Sequence, residues 1–348
     1  MKIIGCDYHP SYQQIAMVDT ETGELWEGRL EHEPGEARRF YEALRGQEVR
    51  VGMEAVGNGQ WFEQMLGEQG HELWIGDAAQ IRRLVVRQQK TDRRDARHIL
   101  GLLLDGRFPR LWVPSAEMRD VRQLLRHRQK LVEMRAQVKN QLQHLALNQG
   151  VRRKRRLWSR EGRAVLEKLP LQGWTARRRA ELLAMLDRFD AQVKELDEAV
   201  LVEAERRPEV RLLMTHPGVG PVVGLAYVLT LGPVTRFPRG KQVASYLGLI
   251  PREHSSGGRQ RLGSISKQGN TMMRTLLVEA AQNASRFDEE LRRDYGRLAA
   301  RKHRAVAKVM VARKLAVRMY WMLRENQPYP LRPVAPMQGS PSHSVVAG

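Results

Sequence analysis

From Lys2 to Asp77 the chain alternates between the two-residue period of strands and the longer period of helices, and a layered α/β domain is the architecture that accommodates both. Residues 3–7, 14–19 and 25–31 read as three strands separated by Pro-Ser and Thr-Gly turns, an antiparallel meander. A helix around 37–44, a strand over 49–54, a helix around 60–69 and a strand over 72–75 follow, then helical sequence through Leu104. The order βββ-α-β-α-β predicts a mixed sheet.

Charge divides the chain differently. Residues 1–80 hold six Lys/Arg and fifteen Asp/Glu, a net −9, so the remainder carries +29 to give the total of +20. An acidic head joined to a strongly basic body points to a polyanionic partner, with the head suited to holding cations against phosphates. The single cysteine, Cys6, excludes disulfide scaffolds and cysteine-based zinc sites and fits a reducing, cytoplasmic setting. No apolar run reaches the roughly 18 residues of a membrane helix, and the N-terminus lacks a signal-peptide pattern. The expectation is therefore a cytoplasmic protein with no membrane partner.

Four carboxylates fall where chemistry could use them. Asp7 ends the first strand, Glu54 ends the fourth, and Asp92 and Asp95 lie at i, i+3 on one face of a helix starting near Thr91. Two strand ends and one helix face can converge on a pair of divalent cations about 4 Å apart, the arrangement used for in-line phosphoryl transfer. Oxygen ligands suit Mg²⁺, or Mn²⁺ in its place. The plainer alternatives are a solvated strand end at Glu54 and a helix-start preference at Asp92.

Pro114 closes this first domain, expected over residues 1–112. Ser115 is placed to cap a long helix running to Gly150, in which Leu124, Leu131, Val138 and Leu145 repeat every seven residues while Arg128 and Arg135 interrupt the companion column. A second helix over 176–206 carries Leu182, Leu186, Phe189, Val193, Leu196 and Val200 at alternating steps of four and three, a coiled-coil seam. The two predict an antiparallel coiled-coil hairpin over 113–206 that could also dimerise; an ordinary helical bundle is the alternative. Between them Arg152, Arg153, Lys154, Arg155 and Arg156 form a run of five cations, with Trp158, Trp174 and Arg177 to Arg179 nearby. This composition suits nucleic acid, cations on phosphates and indoles on bases, with RNA and DNA equally served; a solvated loop is the alternative.

Residues 207–327 read as a mostly α domain, and the Pro, Ser and Gly-rich 328–348 as a loose tail. Within it, His216-Pro217-Gly218-Val219-Gly220-Pro221 between apolar runs suggests a helix-hairpin-helix-like motif whose Gly218 and Gly220 amides approach a phosphate, or else simple helix packing. Farther on, Ser255 and Ser256 precede Gly257 and Gly258, flanked by Arg252, Arg259, Arg261 and Lys267. Serines among glycines are ordinary turn residues, but serines among cations can also attack a phosphodiester.

The stretches Gly5-Cys6-Asp7, Met53-Glu54-Ala55-Val56-Gly57 and Lys90-Thr91-Asp92-Arg93-Arg94-Asp95-Ala96-Arg97 resemble the G-[IV]-D, E-[AS]-[TS]-G and K-T-D-x-x-D-A blocks of the DEDD-type insertion-sequence transposases, the bridge-RNA-guided recombinases. Cys6 and Val56 depart mildly from the usual residues beside the acids. The segment from Ser256 through Ile265-Ser266-Lys267-Gln268-Gly269-Asn270 resembles the serine block of the same family, with Leu276 near the expected Leu and Arg274 displaced. The resemblance covers about residues 3–104 and 208–325. It implies an RNase H-like (RuvC-like) N-terminal domain, Mg²⁺ at Asp7, Glu54, Asp92 and Asp95, and Ser256 as nucleophile, with Ser255 the one-residue alternative. It further implies a phosphoserine intermediate, donor and target DNA, an element-encoded guide (bridge) RNA, and a homodimer or tetramer whose acids and serine come from different subunits. A structure-selective nuclease of the Holliday-junction type would need the four acids but not the serine, and a non-catalytic nucleic-acid scaffold would need neither.

Overall fold

The computed structural model describes residues 1–33, 35–84, 91–152, 154–254 and 261–330, with backbone alone at 154 and 155. The chain divides into two compact units, Met1–Pro114 and Ser115–Gly348. In the first, β1 (Lys2–Tyr8), β2 (Tyr12–Asp19) and β3 (Leu25–Glu31) form the meander. Then come α1 (Glu36–Ala43), β4 (Val49–Glu54), α2 (Gln60–Glu68), β5 (Glu72–Gly76), α3 (Ala78–Arg83) and α4 (Asp92–Leu104). The sheet order is β3-β2-β1-β4-β5, with β2 antiparallel to both its neighbours and β1, β4 and β5 mutually parallel, the mixed sheet expected from the periodicity.

Strand alternation splits the core into two layers. Ile4, Cys6 and Tyr8 of β1 and Val49, Val51 and Met53 of β4 point into one cluster, with Tyr41 of α1 and Phe62, Met65 and Leu66 of α2. The intervening residues Gly5 and Asp7, and Gly52 and Glu54, therefore face the opposite side, where Ala96, Ile99, Leu100 and Leu103 of α4 pack. Contact there is backbone to backbone. A Cβ on Gly5 would lie 2.2 Å from the Ala96 carbonyl oxygen and 2.4 Å from the Leu100 nitrogen, so α4 can seat on β1 only over a residue without a side chain.

The second unit begins with α5 (Ala116–Asn148), capped by the Ser115 side chain, which accepts from the Met118 amide. It packs on α7 (Gly173–Glu205), the hairpin the heptads predict. Val138, Leu142 and Leu145 meet Leu182, Leu183 and Leu186 near its turn. The arginines that break the α5 column reach across to acids on α7: Arg128 Nε lies 2.5 Å from Asp197 Oδ1 and Arg135 Nη1 lies 3.1 Å from Asp190 Oδ1. The connection between the helices is more structured than the cation run suggested, with a 3₁₀ turn (Lys154–Trp158) and α6 (Arg160–Glu167). Trp158 packs against the Leu157 and Leu166 cluster under the Lys139 ammonium, whereas Trp174 is 80% exposed beside Arg177, so Trp174 is the more accessible of the two indoles.

At the other end of the hairpin, Val121 and Leu125 of α5 and Val200 and Ala204 of α7 enter one large core. They share it with α8 (Pro208–Met214), α9 (Pro221–Leu231), α10 (Gly240–Tyr246), α11 (Thr271–Phe287), α12 (Glu289–Arg301) and α13 (Arg304–Glu325). The helical expectation holds, with one addition: β6 (Pro251–Glu253) and β7 (Leu262–Ile265) form a two-stranded antiparallel ribbon.

Candidate metal centre

Two parallel strands carry the same three-residue pattern. Gly5-Cys6-Asp7 on β1 and Gly52-Met53-Glu54 on β4 run side by side in register, Gly5 opposite Gly52 and Cys6 opposite Met53, so Asp7 and Glu54 come next on each strand, on the α4 face. The glycines admit α4 and the acids follow one pleat later, beside the first turn of that helix. This repeated glycine-x-acid pattern is a signal present in the sequence that the motif blocks alone do not bring out.

The orientation of α4 is fixed from two sides. Thr91 caps it through its side chain, which accepts from the Arg94 amide. Arg93 and Arg97, one turn apart, both hold the Glu27 carboxylate of β3 and keep it below the usual carboxylate range, Arg97 contributing most. With these arginines latched to β3, Asp92 and Asp95 turn toward β1.

The result is a compact cluster. Asp7 and Asp92 each contribute a carboxylate oxygen and His9 its imidazole nitrogen, all within 4.8 Å of one another. His9 Nε2 is 3.2 Å from Asp7 Oδ2 and 3.6 Å from Asp92 Oδ2, and Tyr12 donates its hydroxyl to Asp92 Oδ2 at 2.8 Å. Burial pushes the Asp7 carboxyl above its ordinary value; His9 opposes this, and the negative charges of Asp95 and Asp92 add to it. The hydrogen bond to Asp92 raises the Tyr12 phenol. Asp95 thus lies within electrostatic reach of Asp7, but the Glu54 carboxylate does not join the cluster: Arg82 of α3 holds it at 3.0 Å.

The donor set fits a divalent cation. A small dication binds oxygen and nitrogen donors at about 2.1 Å and so spans donors up to about 4 Å apart; the 3.2 and 3.6 Å separations fall inside that span. Positive charge placed there would also offset the crowding of Asp7 by Asp92 and Asp95. His9 and Tyr12 were absent from the sequence-derived site, although His9 stands only two residues past Asp7, just beyond the end of β1.

The other predicted residues lie in the second unit. Arg152 and Arg156 are exposed; Arg153 and the side chains of Lys154 and Arg155 lie outside the described residues. Gly218 has φ 90°, and a Cβ there would stand 2.6 Å from the Ala284 nitrogen, so packing of the α8–α9 turn on α11 by itself requires a glycine. Gly220 precedes α9 in extended conformation with open space around it. Arg252 sits on β6, donating to the Ser266 carbonyl at 3.3 Å, and Arg261 and Lys267 are exposed at either end of β7. Ser255, Ser256 and Arg259 lie outside the described residues. No helix among the described residues is long and apolar enough to cross a membrane.

Comparisons with known proteins match both parts of the chain. Residues 4–149 match the DEDD-type IS110 transposase model and residues 210–296 the model described as Transposase IS116/IS110/IS902 family. The "Probable family 20 transposase" of Pseudomonas aeruginosa is 30% identical over 339 residues, covering 93% of this chain and 97% of that one. The "Transposase for insertion sequence element IS1111A" of Coxiella burnetii is 27% identical over 81% of this chain and 77% of its own length. A "Putative transposase y4pF/y4sB" of Sinorhizobium fredii is 28% identical over 66% of this chain and 60% of its own. Fold, site and matches together define a DEDD-type transposase. The chain belongs to the IS110/IS116/IS902 family of insertion-sequence transposases, a family whose signature acids imply a divalent metal.

Proposed function

We propose that this transposase cuts, exchanges and rejoins DNA strands under the direction of an element-encoded RNA, using a metal-dependent acidic site in the first unit and Ser256 as nucleophile. The observation that carries the reading is the convergence of Asp7, Asp92 and His9 where β1 meets α4. The β3-β2-β1-β4-β5 order, meander on one side and parallel strands on the other, supports an RNase H-like, RuvC-like domain. Asp7 and Asp92, joined by Asp95 and by Glu54 once it leaves Arg82, would hold Mg²⁺ or Mn²⁺. When bound, the cation supplies Lewis-acid stabilisation of charge on the phosphoryl oxygens.

In this reading the Ser256 hydroxyl attacks phosphorus: a serine–phosphate bond forms, the bond to the displaced strand breaks, and that strand leaves as a hydroxyl, taking up a proton as the serine gives one up. The ester conserves the phosphodiester energy. A hydroxyl from a second strand then attacks it, restoring the serine and making the recombinant junction. Arg252, Arg259, Arg261 and Lys267 offset charge around the serine. The Arg152 to Arg156 run, Trp174 and the Gly220 amide serve nucleic-acid backbone and bases, and exchange requires a dimer or tetramer in which one subunit's serine meets another's acids.

The test is a reaction of purified protein with element RNA, donor and target DNA, followed by a denaturing gel and peptide mapping of any protein–DNA adduct. Ser256→Ala should lose the adduct and recombinant junctions while still binding DNA. Asp7→Asn, Glu54→Gln, Asp92→Asn and Asp95→Asn should each abolish cleavage without loss of RNA binding. An adduct on Ser255 would shift the nucleophile by one residue. Robust cleavage by Ser256→Ala, with no adduct in the parent protein, would favour a resolvase-like nuclease, the reading in which the acids alone activate water.

A further inference from the structure

We propose that His9 is itself a ligand of the cation held by Asp7 and Asp92, binding through Nε2, so that the centre is a mixed nitrogen–oxygen site rather than a purely carboxylate one. The inference rests on the acidic site proposed above and adds a residue outside its four acids. It follows from how the β1–β2 hairpin builds the ring's position. His9 follows Asp7 by two residues, immediately past the end of β1, and its Nε2 reaches back to Asp7 Oδ2. The His9 amide donates to the Tyr12 carbonyl at 2.9 Å, closing the turn through Pro10 and Ser11.

That turn stacks the His9 ring on the Tyr12 ring, centroids 4.6 Å apart and planes 21° from parallel. Tyr12 is held in turn by the Arg29 guanidinium, 3.7 Å from its ring centroid, and by its hydroxyl on Asp92. The stack leaves the imidazole little freedom to rotate, and the edge it presents to the carboxylates is Nε2. A surface histidine that merely neutralised one acid would need only one contact. This nitrogen lies between acids from two elements, 3.2 Å from Asp7 and 3.6 Å from Asp92, where a shared ion would place its donors. As a ligand the ring carries its proton on Nδ1. Tyr12 is then a positioning residue, acting through both His9 and Asp92.

Ligand chemistry gives the inference a consequence. Mg²⁺ is bound almost entirely by oxygen donors, and Mn²⁺, although it too favours carboxylates and water, tolerates an imidazole better than Mg²⁺ does; a site that includes His9 should therefore shift preference toward Mn²⁺, and losing His9 should weaken Mn²⁺ more than Mg²⁺. The experiment is a Mn²⁺ titration of the full-length protein followed by electron paramagnetic resonance, with electron spin-echo modulation to detect a directly bound nitrogen. Parent protein should show ¹⁴N coupling at the bound Mn²⁺. His9→Gln should lose that coupling and bind Mn²⁺ at least about 10-fold more weakly, the loss that removing even a ligand's hydrogen-bond partner causes, with Mg²⁺ affinity, read by competition, changing several-fold less.

Mn²⁺ bound in an Asp92-dependent way with no nitrogen coupling would overturn the role of His9 and leave the acidic site standing. Coupling that persists in His9→Gln would overturn it equally. Absence of any Mn²⁺ binding sensitive to Asp7→Asn or Asp92→Asn would overturn the acidic-site reading itself. Absence of coupling in the parent spectrum overturns the proposal even if His9→Gln is unstable, and His9→Asn supplies a second substitution to assign a coupling that is present.

Discussion

Adding one methyl group at Gly5 should damage the candidate site without touching any of its acids. In Gly5→Ala the new Cβ would stand 2.2 Å from the Ala96 carbonyl oxygen and 2.4 Å from the Leu100 nitrogen, both backbone atoms of α4. Ordinary contact requires about 1 Å more, so the helix must move off β1 as a body or the strand must buckle. Overpacking of this kind costs about 1–3 kcal/mol, a fall in the melting temperature of the first unit on the order of 10 °C. Because Asp92 and Asp95 ride on the same helix, displacement of about 1 Å at a catalytic constellation should lower strand cleavage by about 100-fold. Gly52→Ala is the internal control: its Cβ would meet the Leu103 methyl carbons at 2.7 and 3.0 Å, and a leucine side chain can rotate away. Calorimetry, Mn²⁺ binding and a cleavage assay on the two variants check the argument. Equal behaviour of the two, or a wild-type cleavage rate in Gly5→Ala, would refute the claim that seating α4 on bare backbone places the acids.

Three further outcomes follow from other parts of the molecule. Arg82→Gln should free the Glu54 carboxylate for the cation; the pair is exposed on the arginine side and worth at most about 1 kcal/mol, so calorimetric metal affinity should improve by no more than about fivefold, and weaker binding would count against Glu54 as a ligand. In the second unit His216 and Asp288 are buried together, facing Arg318 of α13 and the Tyr329 hydroxyl. Burial holds His216 below its ordinary value, while Asp288, despite the opposing effect of burial, is held low by the Leu291 amide, Tyr329 and Arg318. For both groups the folded state resists protonation, so stability is full above about pH 6.5 and falls with acid, first through His216 and, below about pH 4, through Asp288. His216→Gln should flatten the melting-temperature profile between pH 7 and 5; an unchanged profile would show that His216 protonates freely. Finally, neutralising Arg152, Arg153, Lys154, Arg155 and Arg156 together should flatten the slope of log K for nucleic acid against log salt by about 0.7 to 0.9 for each phosphate that these side chains would otherwise neutralise, and an unaltered slope would make the run a bystander.

What was legible in the sequence is what repeats locally. The three meander strands, the two parallel strands after them and the long helices announce themselves by period, and Ser115 and Thr91 by their capping positions. The elements that escaped are short or masked by their neighbours. β6 has only three residues and β7 four, in a stretch whose serines and glycines favour turns. The helix Arg160–Glu167 is announced by its own cap, Ser159, which accepts from the Gly162 amide, but it follows five cations that read as an unstructured loop. At the site, three of the acids stand in strong local patterns, yet His9 escaped because its significance depends on a stacking partner across a turn. Glu54 shows the converse: its place on the α4 face is legible from the Gly-x-acid repeat, but its ion pair with Arg82 depends on where α3 lies.

Arg128 and Arg135 mark the boundary between these two kinds of information. Read on α5 alone they are defects, charges where a seam should be apolar. Their partners Asp197 and Asp190 are also seven residues apart, and the order is reversed, as an antiparallel pair demands. A slip of one heptad would leave an arginine at one end and an aspartate at the other without partners. Polar groups in a helical seam are the best-attested devices for fixing register, at some expense in stability. The charges that weaken the seam are therefore the ones that define how its two helices align. Alignment matters because the hairpin's open end, through Val121, Leu125, Val200 and Ala204, is built into the core of the helices that follow. A register error at the ion pairs would carry into that core, which gives the arginines a structural reason that no single-helix pattern contains.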